Sequence, residues 1–189
     1  MIRIGILGDI GSGKSYVAYN FGFPVFNADY EVTKLYKNNR KVFLKLKKKL
    51  PKFVTKFPLD KSEIIHAIMS NNINLSKITN IVHQEITVKL KSFLKKNKNK
   101  KIVILDIPLL LENKINIKND ILVFVDAQKK DIKKRLVKRK NFNLKLFKKF
   151  KKIQLSLDYK KKKSNFIIKN KFTKISIKNS VREILHEIL

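Results

Sequence analysis

The chain contains no cysteine. Disulfides, thiolate zinc sites and a cysteine nucleophile are therefore excluded. Glycine is scarce, with five in 189 residues, and only five of the 45 basic residues are arginine. Acidic side chains are few as well: Asp+Glu 14 against Lys+Arg 45 leaves a formal net charge of +31. No stretch reaches the about 18 uninterrupted apolar residues of a membrane helix. The opening MIRIGILGDIGSGKS breaks at once into glycines and an aspartate, which a secretory signal does not do. The expectation is a soluble, cytoplasmic protein with no membrane partner. The three histidines, His66, His83 and His186, are too dispersed to argue a metal site.

What is present is enough apolar residue, 43%, for a folded chain and a length that fits one domain. The charge has two readings. Phosphate neutralisation drives nucleic-acid binding, so +31 could mark such a partner. Against that, arginine, the residue preferred for bidentate base and phosphate contacts, is nearly missing. The lysines are also spread from Lys34 to Lys178 and form no single block. Abundant Lys, Asn, Ile and Phe share A+T-rich codons, so compositional drift accounts for the charge and no specific nucleic acid is expected.

Apolar runs at 2–7, 24–27, 102–105, 121–125 and 166–168 predict strands. Helical patterning covers 14–21, 30–49, 61–70, 76–96, 129–140, 144–162 and 179–188. Asp60 is placed to cap the helix at 61, with Glu63 set for a capping box. Strands alternating with helices imply an α/β fold, a three-layer arrangement around a parallel sheet with right-handed crossovers.

All five glycines lie in the first 22 residues. Gly8-Asp9-Ile10-Gly11-Ser12-Gly13-Lys14-Ser15 satisfies G-x-x-x-x-G-K-[ST], after a predicted strand and opening a predicted helix. Glycines there let backbone N–H groups wrap a phosphate, helped by the helix N-terminus. Lys14 would bridge the β- and γ-phosphates and Ser15 would ligate Mg²⁺. This points to a nucleoside triphosphate without separating kinase, GTPase and ATPase.

Asp29 ends the second strand region, where a carboxylate could accept the proton of an acceptor hydroxyl. It could equally cap the helix that follows. A guanine-reading N-K-x-D is missing: Asn119-Asp120 and Asn113-Lys114-Ile115-Asn116 come nearest and both fail. Arg135 and Arg139 stand four apart on one predicted helix and share a face, where they form either a phosphoryl-covering pair or a solvated basic surface.

Taken together, the glycine loop, Phe26-Asn27-Ala28-Asp29, Asp106-Ile107-Pro108-Leu109-Leu110-Leu111-Glu112, Arg135-x-x-x-Arg139, and Gln154 followed by Ser164-Asn165-Phe166-Ile167-Ile168 and Asn170 resemble the dephospho-CoA kinase family. The resemblance implies a three-layer P-loop kinase fold: a core at about 1–30, 99–127 and 163–189, a helical CoA-binding insert at about 31–98, and a helical lid at about 128–162. It implies ATP-dependent phosphorylation of the ribose 3′-hydroxyl of dephospho-coenzyme A, the last step of CoA synthesis.

On that resemblance Asp29, Lys14 and Arg139 are catalytic. Gly8, Gly11, Ser12, Gly13, Lys14, Ser15, Tyr16, Arg135 and Arg139 bind ATP. Asp29, His83, Pro108, Leu109, Leu110 and Glu112 serve the acceptor side. Ser15 and Asp106 hold Mg²⁺, Asp106 through water, although Asp106 also reads as a turn residue before Pro108. The chain departs from the family pattern at five positions. Asp9 stands for a usual glycine, Tyr16 for threonine and Gln84 for the proline after His83. Leu144 occupies a position often held by a lid arginine, and Asn165 one where aspartate is common. Alternatives are another P-loop small-molecule kinase, such as one acting on nucleoside monophosphates, and a nucleic-acid-binding ATPase.

Overall fold

The computed structural model describes residues 1–139 and 142–189. Its elements run β1 (Ile2–Gly8), α1 (Lys14–Asn20), β2 (Val25–Asn27), α2 (Ala28–Asn38), α3 (Arg40–Lys49), α4 (Lys61–Ser70) and α5 (Asn72–Lys96). They continue through β3 (Ile102–Asp106), β4 (Ile121–Asp126), α6 (Lys129–Val137), α7 (Leu144–Ile153), α8 (Leu157–Lys163), β5 (Phe166–Lys169) and α9 (Lys174–Ile188).

The five strands form one sheet in the order β2-β3-β1-β4-β5, and every neighbouring pair is parallel. A strand in such a sheet is covered on both faces, which is why β3 is buried at every position. On one face Ile4, Ile6, Ile104, Val123 and Ile168 close against Val17 and Ala18 of α1 and Ile177 and Val181 of α9. The other face carries α8, which packs on β1 and β4. Gly5 lies there because a Cβ would come within 2.5 Å of Leu110 Cδ2. The Leu110 side chain thus packs directly onto strand backbone. Arg3 of β1 pairs with Asp120 at 2.9 Å at the sheet's opposite end.

The chain leaves β1 toward β2 on one side and leaves β3 toward β4 on the other. The neighbours whose onward connections run apart are β1, which leads to β2, and β4, which leads to β5, and such a reversal marks a binding position at the C-terminal ends of the strands.

All five strands lie where the apolar runs put them; several helices differ. The 30–49 pattern is two helices, because Asn39 accepts the N–H of Val42 at 3.0 Å and starts α3 afresh. The 144–162 pattern also divides, with Ser156 accepting the N–H of Tyr159 at 3.2 Å to open α8. α5 starts at Asn72 and α9 at Lys174, each earlier than its periodicity indicated. Asp60 does cap α4, accepting from Ser62 at 2.8 Å. Glu63, however, bonds Thr55 Oγ1 at 2.5 Å, so the capping box is not made. α6 ends at Val137 and the expected end at Lys140 lies outside the described residues.

The chain divides into two compact units. One holds the sheet and comprises Met1–Asn27, Asn97–Asn143 and Lys149–Leu189. The other, Ala28–Lys96 with Leu144–Lys148, is helical. Its core gathers Leu35, Val42, Leu46, Val54, Ile64 and Ala67 with Ile78, Val82 and Ile86, one stripe of α5. No helix among the described residues is long and apolar enough to cross a membrane.

Candidate active site

The loop between β1 and α1 is shaped by glycine where a side chain has no room. Gly8 has φ 144° and Gly13 φ 94°. A Cβ on Gly8 would lie 2.7 Å from the Val125 carbonyl oxygen, and one on Gly13 would lie 2.5 Å from Asn170 Nδ2. Gly13 stands at the N-cap of α1 without a side chain to accept its first N–H groups. Those donors are left for an anion. Ser12 is fully buried in the same turn, and its Oγ has no hydrogen-bond partner among the described residues. A buried hydroxyl in a turn of open N–H donors suits the oxygens of a phosphate chain.

Lys14 folds back over the loop, donating from Nζ to the carbonyl of Asp9 at 2.7 Å and of Gly8 at 3.3 Å. Ser15 and Tyr16 are exposed on the first turn of α1. Asp9 turns its carboxylate onto the loop. Its Oδ1 accepts the N–H of Ile10 at 2.7 Å and meets Lys151 Nζ at 2.5 Å.

At the end of β3, Asp106 is buried at 3% exposure. The parallel register sets Asn27 opposite it, and Asn27 Nδ2 donates to Asp106 Oδ2 at 2.6 Å. Asp106 is thus the last strand residue, not part of the turn that follows. Pro108 and Leu109 are half-buried. Leu110 is enclosed beneath Gly5, so it acts on its surroundings through packing. Glu112 pairs with Lys160 of α8 at 2.6 Å, their side chains only 9% and 1% exposed. The same carboxylate accepts the N–H of Leu155 at 3.0 Å, so Glu112 ties the segment after β3 to the start of α8.

Asn170 closes the site from β5. Buried, it donates from Nδ2 to the Ser12 carbonyl at 2.8 Å and accepts from the N–H of Phe172 at 2.7 Å. Phe172, at φ 58°, presents its ring to Arg135, whose guanidinium lies 4.4 Å from the ring centroid. Arg135 is exposed on α6, but Arg139 lies past the helix end in a turn, its N–H donating to the Leu136 carbonyl at 3.1 Å. The pair therefore does not share a helix face as the spacing suggested.

In the helical unit, Asp29 is the second residue of α2 and exposed. The helix starts at Ala28, so Asp29 sits inside the first turn and is not its cap. Its backbone carbonyl accepts from Thr33 Oγ1 at 2.9 Å. His83 is half-buried on α5, and burial lowers its pKa below the usual 6.5.

Sequence reasoning had no role for Asn27 and Asn170 as braces, for the stacked Phe172, or for Lys151. Asn27 and Asn170 did fall within the family-like segments. Lys151 carried no signal, being one lysine of a lysine-rich helix.

A glycine-shaped turn before α1, the Lys14 ammonium, serine hydroxyls and the buried Asp106 carboxylate lie at the C-terminal end of the parallel sheet. The sequence model of the dephospho-CoA kinase family matches residues 2–175. A dephospho-CoA kinase from Wolbachia pipientis wMel is 32% identical, over 98% of this chain and 97% of the relative. Another, from Bartonella henselae, is 34% identical over 87% of each. The crystal structure of TT1252 from Thermus thermophilus superposes with a TM-score of 0.81 at 25% identity, covering 100% of this chain and 98% of that one. In fold alone the chain also resembles a shikimate kinase from Bacteroides thetaiotaomicron, at TM-score 0.53 and 12% identity, over 99% of this chain and 98% of that one. The loop, the sheet order and a family match spanning nearly every element lead to one conclusion: this chain belongs to the dephospho-CoA kinase family.

Proposed function

We propose that this chain transfers the γ-phosphoryl group of ATP to the ribose 3′-hydroxyl of dephospho-coenzyme A, giving coenzyme A and ADP. The observation that carries this is the family match over 2–175, which takes in the glycine loop, Asp29, Asp106 and both arginines. The sheet core at about 1–30, 99–127 and 163–189 holds ATP. The helical insert at about 31–98 receives dephospho-CoA, with His83, and with Pro108, Leu109, Leu110 and Glu112 shaping the acceptor side from the core. The segment at about 128–162 acts as the lid.

Phosphoryl transfer needs positioning and charge neutralisation more than covalent chemistry. The N–H groups of Gly11, Gly13, Lys14 and Ser15 and the buried Ser12 hydroxyl hold the phosphates, with the Ser12 N–H bonding the Asp9 carbonyl, Gly8 allowing the turn and Tyr16 following on α1. Lys14 exchanges its loop carbonyls for the β- and γ-phosphate oxygens. Asp29 accepts the proton as the 3′-oxygen attacks phosphorus and the bond to ADP breaks. Arg135 and Arg139 neutralise charge on the transferring group from the lid. Ser15 and the buried Asp106 carboxylate are hard oxygen donors suited to Mg²⁺, which takes few protein ligands and completes its shell with water and phosphate. When bound, Mg²⁺ supplies charge neutralisation at the β- and γ-phosphates.

The test is an ADP-release assay with dephospho-CoA set beside a panel of nucleoside monophosphates. Turnover confined to dephospho-CoA is expected. Preference for a nucleoside monophosphate would replace this reading with that of another small-molecule kinase.

A further inference from the structure

A carboxylate folded into a phosphate-binding turn is a conflict of charge. Asp9 is such a group: its side chain is 13% exposed and takes the N–H of Ile10, one of the loop's own donors. Left bare, it would face an incoming polyanion at short range in a partly desolvated setting, where like charges repel strongly. Lys151 meets this carboxylate at 2.5 Å. It comes from the second half of α7, where the neighbouring Lys148 and Lys152 are exposed while Lys151 is half-buried. Asp9 is thereby attended twice, by Lys14 on its backbone carbonyl and by Lys151 on its side chain.

We propose that Lys151 is a positioning residue for nucleotide binding: it neutralises Asp9 and holds its carboxylate back from the phosphates. A glycine at position 9 would have no need of this ion pair. The pair makes the lid segment a working part of the nucleotide cradle, because losing α7's hold on the loop would expose a negative charge where phosphate binds. The inference rests on the reading that the glycine loop binds ATP. It adds a dependence between two residues that the reading alone does not contain.

The experiment is a double-mutant cycle of Asp9→Gly and Lys151→Met on the full chain, with both single variants and the double, reading the ATP dissociation constant by calorimetry with no acceptor present. Lys151→Met is expected to weaken ATP binding by about tenfold to a hundredfold, the range that an unscreened carboxylate near phosphate implies. Lys151→Arg retains the charge and is expected to stay within about threefold of wild type. The decisive variant is Asp9→Gly/Lys151→Met, in which affinity returns to within about threefold of wild type because the charge to be neutralised is gone. A double variant as weak as Lys151→Met would overturn the proposal, showing that Lys151 serves phosphate or fold on its own account. Wild-type affinity in Lys151→Met would overturn it as well. If wild type itself fails to bind ATP, the loop reading falls first and this inference with it. A melting curve for each variant separates lost binding from lost folding, and the double variant remains informative if Lys151→Met is unstable.

Discussion

Lys14→Ala leaves the glycine backbone of the loop in place while removing the ammonium that now bonds the Gly8 and Asp9 carbonyls. Turnover is expected to drop on the order of 10²–10³, the scale for deleting one stabiliser of transition-state charge, with the circular dichroism unchanged. Asp29→Asn keeps the size of an exposed side chain in the first turn of α2. A loss in kcat of about 10²–10⁴ with the ATP KM little altered is expected if it is the base; full activity would remove it from that role. His83 makes a prediction of a different kind. Burial lowers its pKa from 6.5, so the unfolded chain binds that proton more readily than the folded one. Its contribution to stability is complete above about pH 6.5 and is lost as pH falls through the lower folded value. The melting midpoint should therefore decline between about pH 7.5 and pH 5.5, and His83→Gln should flatten part of that decline. The place of Lys14 and Ser15 at the start of α1 was legible because a motif fixed their spacing after a strand. Single residues were illegible where only burial distinguishes one lysine from another: nothing in the sequence sets Lys151 or Lys160 apart from their neighbours.

At the scale of elements, the strands could be read because continuous apolar runs are what a doubly covered parallel strand requires. The helix breaks at Asn39 and Ser156 could not. Each is a single side chain accepting one backbone N–H inside a lysine-rich stretch whose periodicity carries on past it. The break before α8 matters to the site, because Leu155 and Lys160 both anchor to Glu112 there. Glu112→Ala would leave Lys160 charged and enclosed without its partner. Breaking a buried pair from one side costs about 3–5 kcal/mol, and denaturant unfolding should record a loss of that size. Glu112→Leu/Lys160→Met should recover most of it. A Glu112→Ala chain as stable as wild type would show that the pair contributes nothing to holding α8.

For the whole molecule, a net charge of +31 surrounds an enzyme of two polyanionic substrates. Long-range attraction should raise the encounter rate and fade as salt shortens its reach, so kcat/KM is expected to fall with ionic strength more than kcat does. If the lysines are compositional, added RNA leaves ATP turnover unstimulated; stimulation would favour a nucleic-acid-dependent ATPase instead. The parallel sheet followed from alternating strands and helices, whereas its order β2-β3-β1-β4-β5 did not. The division into a sheet unit and a helical unit beginning at Ala28 is a matter of long-range packing that local patterning does not encode. The most direct measurement is the ³¹P NMR spectrum of dephospho-CoA incubated with ATP, Mg²⁺ and the purified chain. A new phosphomonoester on the ribose 3′-oxygen, growing in step with ADP and slower with Lys14→Ala by a factor on the order of 10²–10³, is the predicted result. An unchanged dephospho-CoA spectrum while ATP is consumed, or phosphate at any other position, would contradict it.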